Sequence, residues 1–146
     1  MKVCSMHANR VMLGLALLLG ACDSSERKEA MELHRVVTAY RNAAVSEKEQ
    51  SADELERLTC KAPDVCQAKE ACLKSSRPTK KALIKRRELK EGLKDVDASA
   101  MAEDDPRRAS LLAVADEAKA LLEEGKKALE DCDSEMAVLK RRYDLK

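Results

Sequence analysis

The chain has 146 residues, no Trp or Phe and two Tyr, and 38% of its residues are charged for a formal net charge of +1. An apolar fraction drawn from Ala, Leu and Val fills thin seams between helices and excludes a broad aromatic core, while near-neutrality excludes a general pull toward nucleic acid. Four Gly and three Pro, set among abundant Ala, Leu, Glu, Lys and Arg, favour helix throughout.

The first ten residues carry Lys2 and Arg10 and no acid, and residues 11–19 are apolar apart from Gly14, the layout of a secretory signal. The apolar run is well short of the roughly 18 to 20 residues that span a bilayer. It ends in Leu19-Gly20-Ala21-Cys22, which resembles the lipobox of bacterial lipoproteins. The resemblance covers residues 1–23 and no later part of the chain. It implies cleavage between Ala21 and Cys22, a diacylglyceryl group on the Cys22 sulfur and acylation of the freed amine. Two or three chains, palmitate among them, hold a protein on a membrane where one would not, at about 0.8 kcal/mol per buried methylene. The expected place is the bacterial cell envelope, facing the periplasm or the exterior. Asp23 resembles the residue that retains enterobacterial lipoproteins in the inner membrane, a lean toward that membrane.

The organisation that follows is a signal peptide over 1–21, a lipidated tether over 22–25 and one helical domain over 26–146. All 27 acids lie after Cys22, and losing Lys2 and Arg10 leaves 26 cations, so the mature balance is 26 minus 27, or minus 1.

Leu33, Val36, Val37, Tyr40, Ala43 and Ala44 recur at helical spacing, residues 46–50 interrupt, and Leu55 and Leu58 resume the pattern toward Cys60. The reading is one long helix over about 26–60 with a weak middle, or two helices end to end, with Ser51 and Glu54 as a capping box. Lys61-Ala62-Pro63 is a turn, and Asp64 with Gln67 starts a second helix over about 64–97, kinked or broken near Pro78. Asp105-Pro106 is a helix start, with the carboxylate at the cap and Pro in the first turn. The third helix, about 106–144, carries a heptad seam from Leu111 through Ala118, Gly125, Cys132 and Leu139 to Tyr143. The expected fold is all-α: an elongated, coiled-coil-like antiparallel three-helix bundle. Its mirror relations set residues 46–50, Pro78 and Gly125 at similar heights, a layer expected to bend.

Cys60, Cys66, Cys72 and Cys132 remain for the exported body, an even number that points to two disulfides. Cys60 and Cys66 lie symmetrically about Pro63, and Cys72 and Cys132 about Ala102. Antiparallel helices bring such positions level, so the pairs are Cys60 with Cys66 and Cys72 with Cys132. Zinc wants two to four residues between paired ligands rather than the five found here, and no CxxC serves redox chemistry, so neither metal nor cofactor is expected.

Between 74 and 94, nine cations meet only Glu88 and Glu91. Lys80, Lys81, Arg86 and Arg87 are the candidate contacts for an anionic envelope ligand, phospholipid or polysaccharide. Without aromatics to stack on bases, nucleic acid is not expected. The competing reading pairs this stretch with acids of the third helix: Lys74 near Glu130, Lys80 and Lys81 near Glu124 and Glu123, and Arg87 near Glu117. His34 stands alone, and no Gly-rich phosphate loop, GxSxG or HExxH occurs, so catalysis is not expected. Two functions remain: a non-catalytic scaffold presenting a helical face to an envelope protein, or a lipoprotein holding an anionic ligand on 74–94.

Overall fold

A computed structural model describes residues 19–94 and 105–146, with side chains from Ser25 onward. Most of the signal segment, and residues 95–104, which hold the end of the expected second helix and most of the chain between it and Asp105, lie outside the described residues. The described elements are all helical: α1 (Leu19–Asn42), α2 (Lys48–Arg57), α3 (Pro63–Lys94), α4 (Pro106–Lys127) and α5 (Leu129–Tyr143). Between α4 and α5, Ala128 keeps helical angles (φ −74°, ψ −10°) and its N–H still bonds the Glu124 carbonyl, so the two form nearly one rod.

The first expected helix is corrected. The chain neither continues nor stacks end to end after Asn42; it reverses over residues 43–47, and α2 folds back along α1. The reversal is held at its base by Lys48, whose ammonium donates to the Tyr40 and Arg41 carbonyls at 2.6 and 3.0 Å and sits 4.7 Å from the centroid of the Tyr40 ring. Those carbonyls belong to the last turn of α1, where intrahelical donors run out. Burial there pulls the Lys48 ammonium below its ordinary pKa. Neither expected capping box forms. α2 already begins at Lys48, with Ser51 inside it and Glu54 bonded to Arg35, and Gln67 donates its amide to Glu135 of α5 at 2.9 Å. The Asp105 cap is as expected, its carboxylate accepting from the Arg107 N–H at 2.9 Å.

Cross-links between the rods fix their directions. Arg35 to Glu54 joins α1 to α2, Arg77 to Glu56 and Arg87 to Glu49 join α3 to α2, and Lys85 to Glu117 joins α3 to α4. Arg27 and Arg41 of α1 reach the Tyr143 carbonyl and Asp133 on the last rod. Numbers rise on one partner as they fall on the other, so each successive rod runs opposite to the last. Four alternating rods therefore replace the expected three. α3 passes through Pro78 without a break, which corrects the expectation that Pro78 could end it. At 1.5 Å per residue its 32 residues reach about 48 Å.

The main core lies at one end of this bundle. Leu33, Val36, Leu55, Val65, Leu73 and Leu139 are each at most 1% exposed and belong to one cluster with Cys72, Cys132, Met136 and Tyr143. Full burial of each such aliphatic side chain contributes about 1.5 to 3 kcal/mol before entropy is charged against it. No residue of α4 joins that cluster. Ala118 and Gly125 of the heptad seam are buried against α3, but Leu129 is 36% exposed and Leu112, beside the seam, 57%. The α1–α2 hairpin stops at its turn, and beyond it α3 and α4 have, among the described residues, only each other to pack against.

Both disulfides pair as the mirror relations require. Cys60–Cys66 spans 5.4 Å between Cα atoms and Cys72–Cys132 spans 4.4 Å. The first closes the turn before α3, and Glu29 of α1 clamps that turn by accepting from the N–H groups of Lys61 and Ala62 at 2.7 and 3.1 Å. These two bonds hold the Glu29 carboxyl below its usual pKa. Above the second disulfide, Gly125 lies so close to α3 that a Cβ there would meet the Ser75 carbonyl oxygen at 2.9 Å and strike the Thr79 hydroxyl. The Ser75 hydroxyl donates to the Gly125 carbonyl at 2.8 Å. Gly125 thus lies level with Ser75 and Thr79, on either side of Pro78, and Lys48 of the 46–50 stretch lines the same groove, although that stretch also carries part of the reversal and the first turn of α2.

Candidate interaction surface

The cations of α3 divide by the rod they face. Arg87 reaches Glu49 at 2.7 Å, Lys80 pairs with Asp53, and Arg77 reaches Glu56 at 3.0 Å. These three acids recur at steps of four and three along α2, the spacing of one helical face, and the three cations recur at steps of seven and three along α3. Lys85 instead turns to α4, at 3.2 Å from Glu117. The hydrogen bonds to Asp53 and to Glu117 raise the Lys80 and Lys85 ammonium pKa values above their ordinary range. The bundle therefore neutralises much of its basic stretch internally, as the self-complementary reading held, but chiefly through α2. The expected pairings of Lys74 with Glu130, Lys80 and Lys81 with Glu124 and Glu123, and Arg87 with Glu117 do not form. All these pairs are at least partly exposed, so each contributes about 0 to 1 kcal/mol and acts more on register than on stability.

Lys80, Lys81, Arg86 and Arg87 consequently do not make one open patch. Lys81 and Arg86 are exposed and make no ion pair among the described residues, while Lys80 and Arg87 are engaged by α2.

Where the α1–α2 hairpin ends, an open cleft of about 910 Å³ runs along α3. Its apolar surface comes from Leu83, Leu89 and Leu93 of α3 and from Val45 at the tip of the reversal; Val45 is 70% exposed and Leu93 42%. Arg86, Arg87 and Lys90 border it, and Glu49, already bonded to Arg87, is its one acid among the described residues. The three leucines lie at positions 83, 89 and 93 of the expected second helix. They are left open because α2 holds ten residues against the 32 of α3. The signal for the cleft was the early interruption at 46–50, which shortens the covering hairpin.

His34 stands at the other end, near the C-terminus, half-buried on α1. Burial, with Lys140 and Arg41 nearby, lowers its pKa. The described residues contain no group of three or more His, Cys, Asp or Glu able to hold a metal ion, and no helix among them is long and apolar enough to cross a membrane. Ala21 and Cys22 fall within α1, ahead of the residues whose side chains are described. No family model, curated protein or solved structure matches this chain.

Proposed function

We propose that this protein is a lipoprotein of the bacterial cell envelope, anchored through Cys22, that acts without catalysis as an interaction scaffold. The observation that carries the reading is Leu19-Gly20-Ala21-Cys22 at the end of a short apolar run. Two disulfides agree with an oxidising compartment, where such bonds persist. The uncovered apolar strip above the α1–α2 turn is the kind of surface a scaffold presents. Cleavage before Cys22 leaves α1 to rise from the acylated residue, which lifts the strip about 30 Å from the anchor over the 20 residues from Cys22 to Asn42. Asp23 leans the placement toward the inner membrane, with the body in the periplasm. The coiled-coil-like part of the rod is the distal α3–α4 hairpin, and it carries the strip. An anionic ligand held by Lys80, Lys81, Arg86 and Arg87 is the less favoured reading, since two of the four cations already have acids beside them.

The test is metabolic labelling with a palmitate analogue in a bacterial host, together with membrane fractionation. Wild type should incorporate label and sediment with membranes, and Cys22→Ser should do neither. Unlabelled wild type, or a Cys22→Ser variant still bound to membranes, would remove the anchor from the account.

A further inference from the structure

The cleft above the α1–α2 turn has a definite form, and that form selects its occupant. Its apolar residues run from Leu83 to Leu93, ten residue steps along one helix, which at 1.5 Å each is about 15 Å. That length matches roughly three turns of a second helix laid alongside, with anchors at i, i+3 or i+4 and i+7. The surroundings are positive, because Glu49 is committed to Arg87 and leaves the exposed Arg86 and Lys90 without an acid among the described residues.

We propose that this cleft receives an acidic amphipathic helix from another envelope protein, its leucine-type anchors on Leu83, Leu89 and Leu93 and its carboxylates against Arg86 and Lys90. The proposal rests on the scaffold reading above and specifies the chemistry of the partner. Other occupants fit less well. A second copy joined through this strip would set Arg86 and Lys90 against the same two cations of its partner. An acyl chain needs an enclosed pocket that buries most of its surface, and Val45 and Leu93 are too exposed to form one. The headgroups of the anchoring membrane lie about 30 Å away on the reading given above.

The experiment uses the mature chain carrying Cys22→Ser, which removes the acyl chains so that lipid partitioning does not enter the readout. The probe is a labelled 18-residue synthetic helix with Leu at i, i+3, i+7 and i+10 and Glu flanking them, compared by fluorescence anisotropy with the same peptide bearing Lys for Glu. The acidic peptide should bind at least about tenfold more tightly than the basic one. Its affinity should fall with added salt, and by about tenfold again in Arg86→Glu/Lys90→Glu and in Leu89→Asp/Leu93→Asp. These positions are exposed or half-buried on a continuous helix, and unchanged circular dichroism establishes that the variants fold. Equal binding of both peptides, or none, would overturn the proposal. So would phosphatidylglycerol vesicles that bind and are released by the same substitutions, or a concentration-dependent dimer that Leu89→Asp dissociates. Binding that appears only after Asp95, Asp97, Glu103 and Asp104 are changed to amides would assign the cleft to this chain's own segment and refute the partner. Because this readout is independent of acylation, its failure is distinct from failure of the palmitate test.

Discussion

Removing the long-range disulfide is the sharpest perturbation this bundle offers. Cys72 and Cys132 are both 2% exposed, belong to the main core and are 60 residues apart in sequence, whereas Cys60 and Cys66 are six apart. On the chain-entropy model a 60-residue loop closed in the unfolded state is worth about 4 kcal/mol, and a six-residue loop about 2 kcal/mol. Replacing both buried sulfurs by the Ala side chain also leaves unfilled space in the core, which raises the cost of the first change. For a domain of this size 1 kcal/mol corresponds to roughly 4 °C in Tm. Cys72→Ala/Cys132→Ala should therefore lower Tm by about 15 °C or more, and Cys60→Ala/Cys66→Ala by about 8 °C. Thermal unfolding of a chain beginning at residue 22 with Cys22→Ser, followed by circular dichroism at 222 nm without reductant, measures both. If the 72–132 variant lost no more than the 60–66 variant, loop entropy and core position would not be what these bonds supply.

Further outcomes follow from the same contacts. Gly125→Ala should destabilise by about 1 to 3 kcal/mol, because the new Cβ meets the Ser75 carbonyl at 2.9 Å and opens the Ser75 hydrogen bond; urea unfolding gives the value, and a neutral result would deny the close helix approach. His34 has a lowered pKa in the fold, so as pH falls through 6.5 the unfolded chain takes up a proton that the folded one refuses. Stability should therefore decline on acidification from pH 7 toward pH 5, and a His34→Gln variant should flatten that slope in urea titrations. Glu29, whose pKa is also lowered, acts further down: its stabilisation is present above 4.5 and is lost as pH falls through its folded value, so Glu29→Gln should weaken the fold at pH 7 and cost progressively less as the pH is lowered below 4.5. Hydrogen exchange should be slow in residues 66–76 and 132–139 and faster in 84–94 and 107–119, since the main core holds no side chain from the second pair of segments. Equal protection along the whole of α3 would contradict this placement of the core.

Much of the architecture was legible because it depends on spacing. The disulfide partners followed from mirror distances about two turns, and the Asp105-Pro106 start from local chemistry that packing does not override. The reversal over 43–47 was not, since Ala43, Ala44 and Val45 carry no Pro or Gly and their propensities suit a continuing helix. What turns the chain is tertiary: Lys48 caps the carbonyls of α1, and Glu49, Asp53 and Glu56 find Arg87, Lys80 and Arg77 across α3. The matched charge spacing was visible in the sequence, yet a three-rod expectation gave the basic stretch only one acidic neighbour to consider. The capping boxes failed for a related reason, because Glu54 and Gln67 each have a partner on another helix. The cleft followed from the same error, as a first helix running to residue 60 in one direction would have left a different strip of α3 bare.

The two ends of the described chain meet. Arg27 donates to the Tyr143 carbonyl at 3.0 Å, and the Tyr143 hydroxyl donates to Glu26 at 3.2 Å. A fluorescent reporter fused after Lys146 would thus emerge beside Glu26 and Arg27 in the first half of α1, and would crowd any surface to which that half of the helix is tied. Grafting the same reporter between residues 95 and 104, more than 30 residues along α3 from that junction, would carry it clear, so the choice of tag position decides whether a cell biologist sees the molecule or obstructs it.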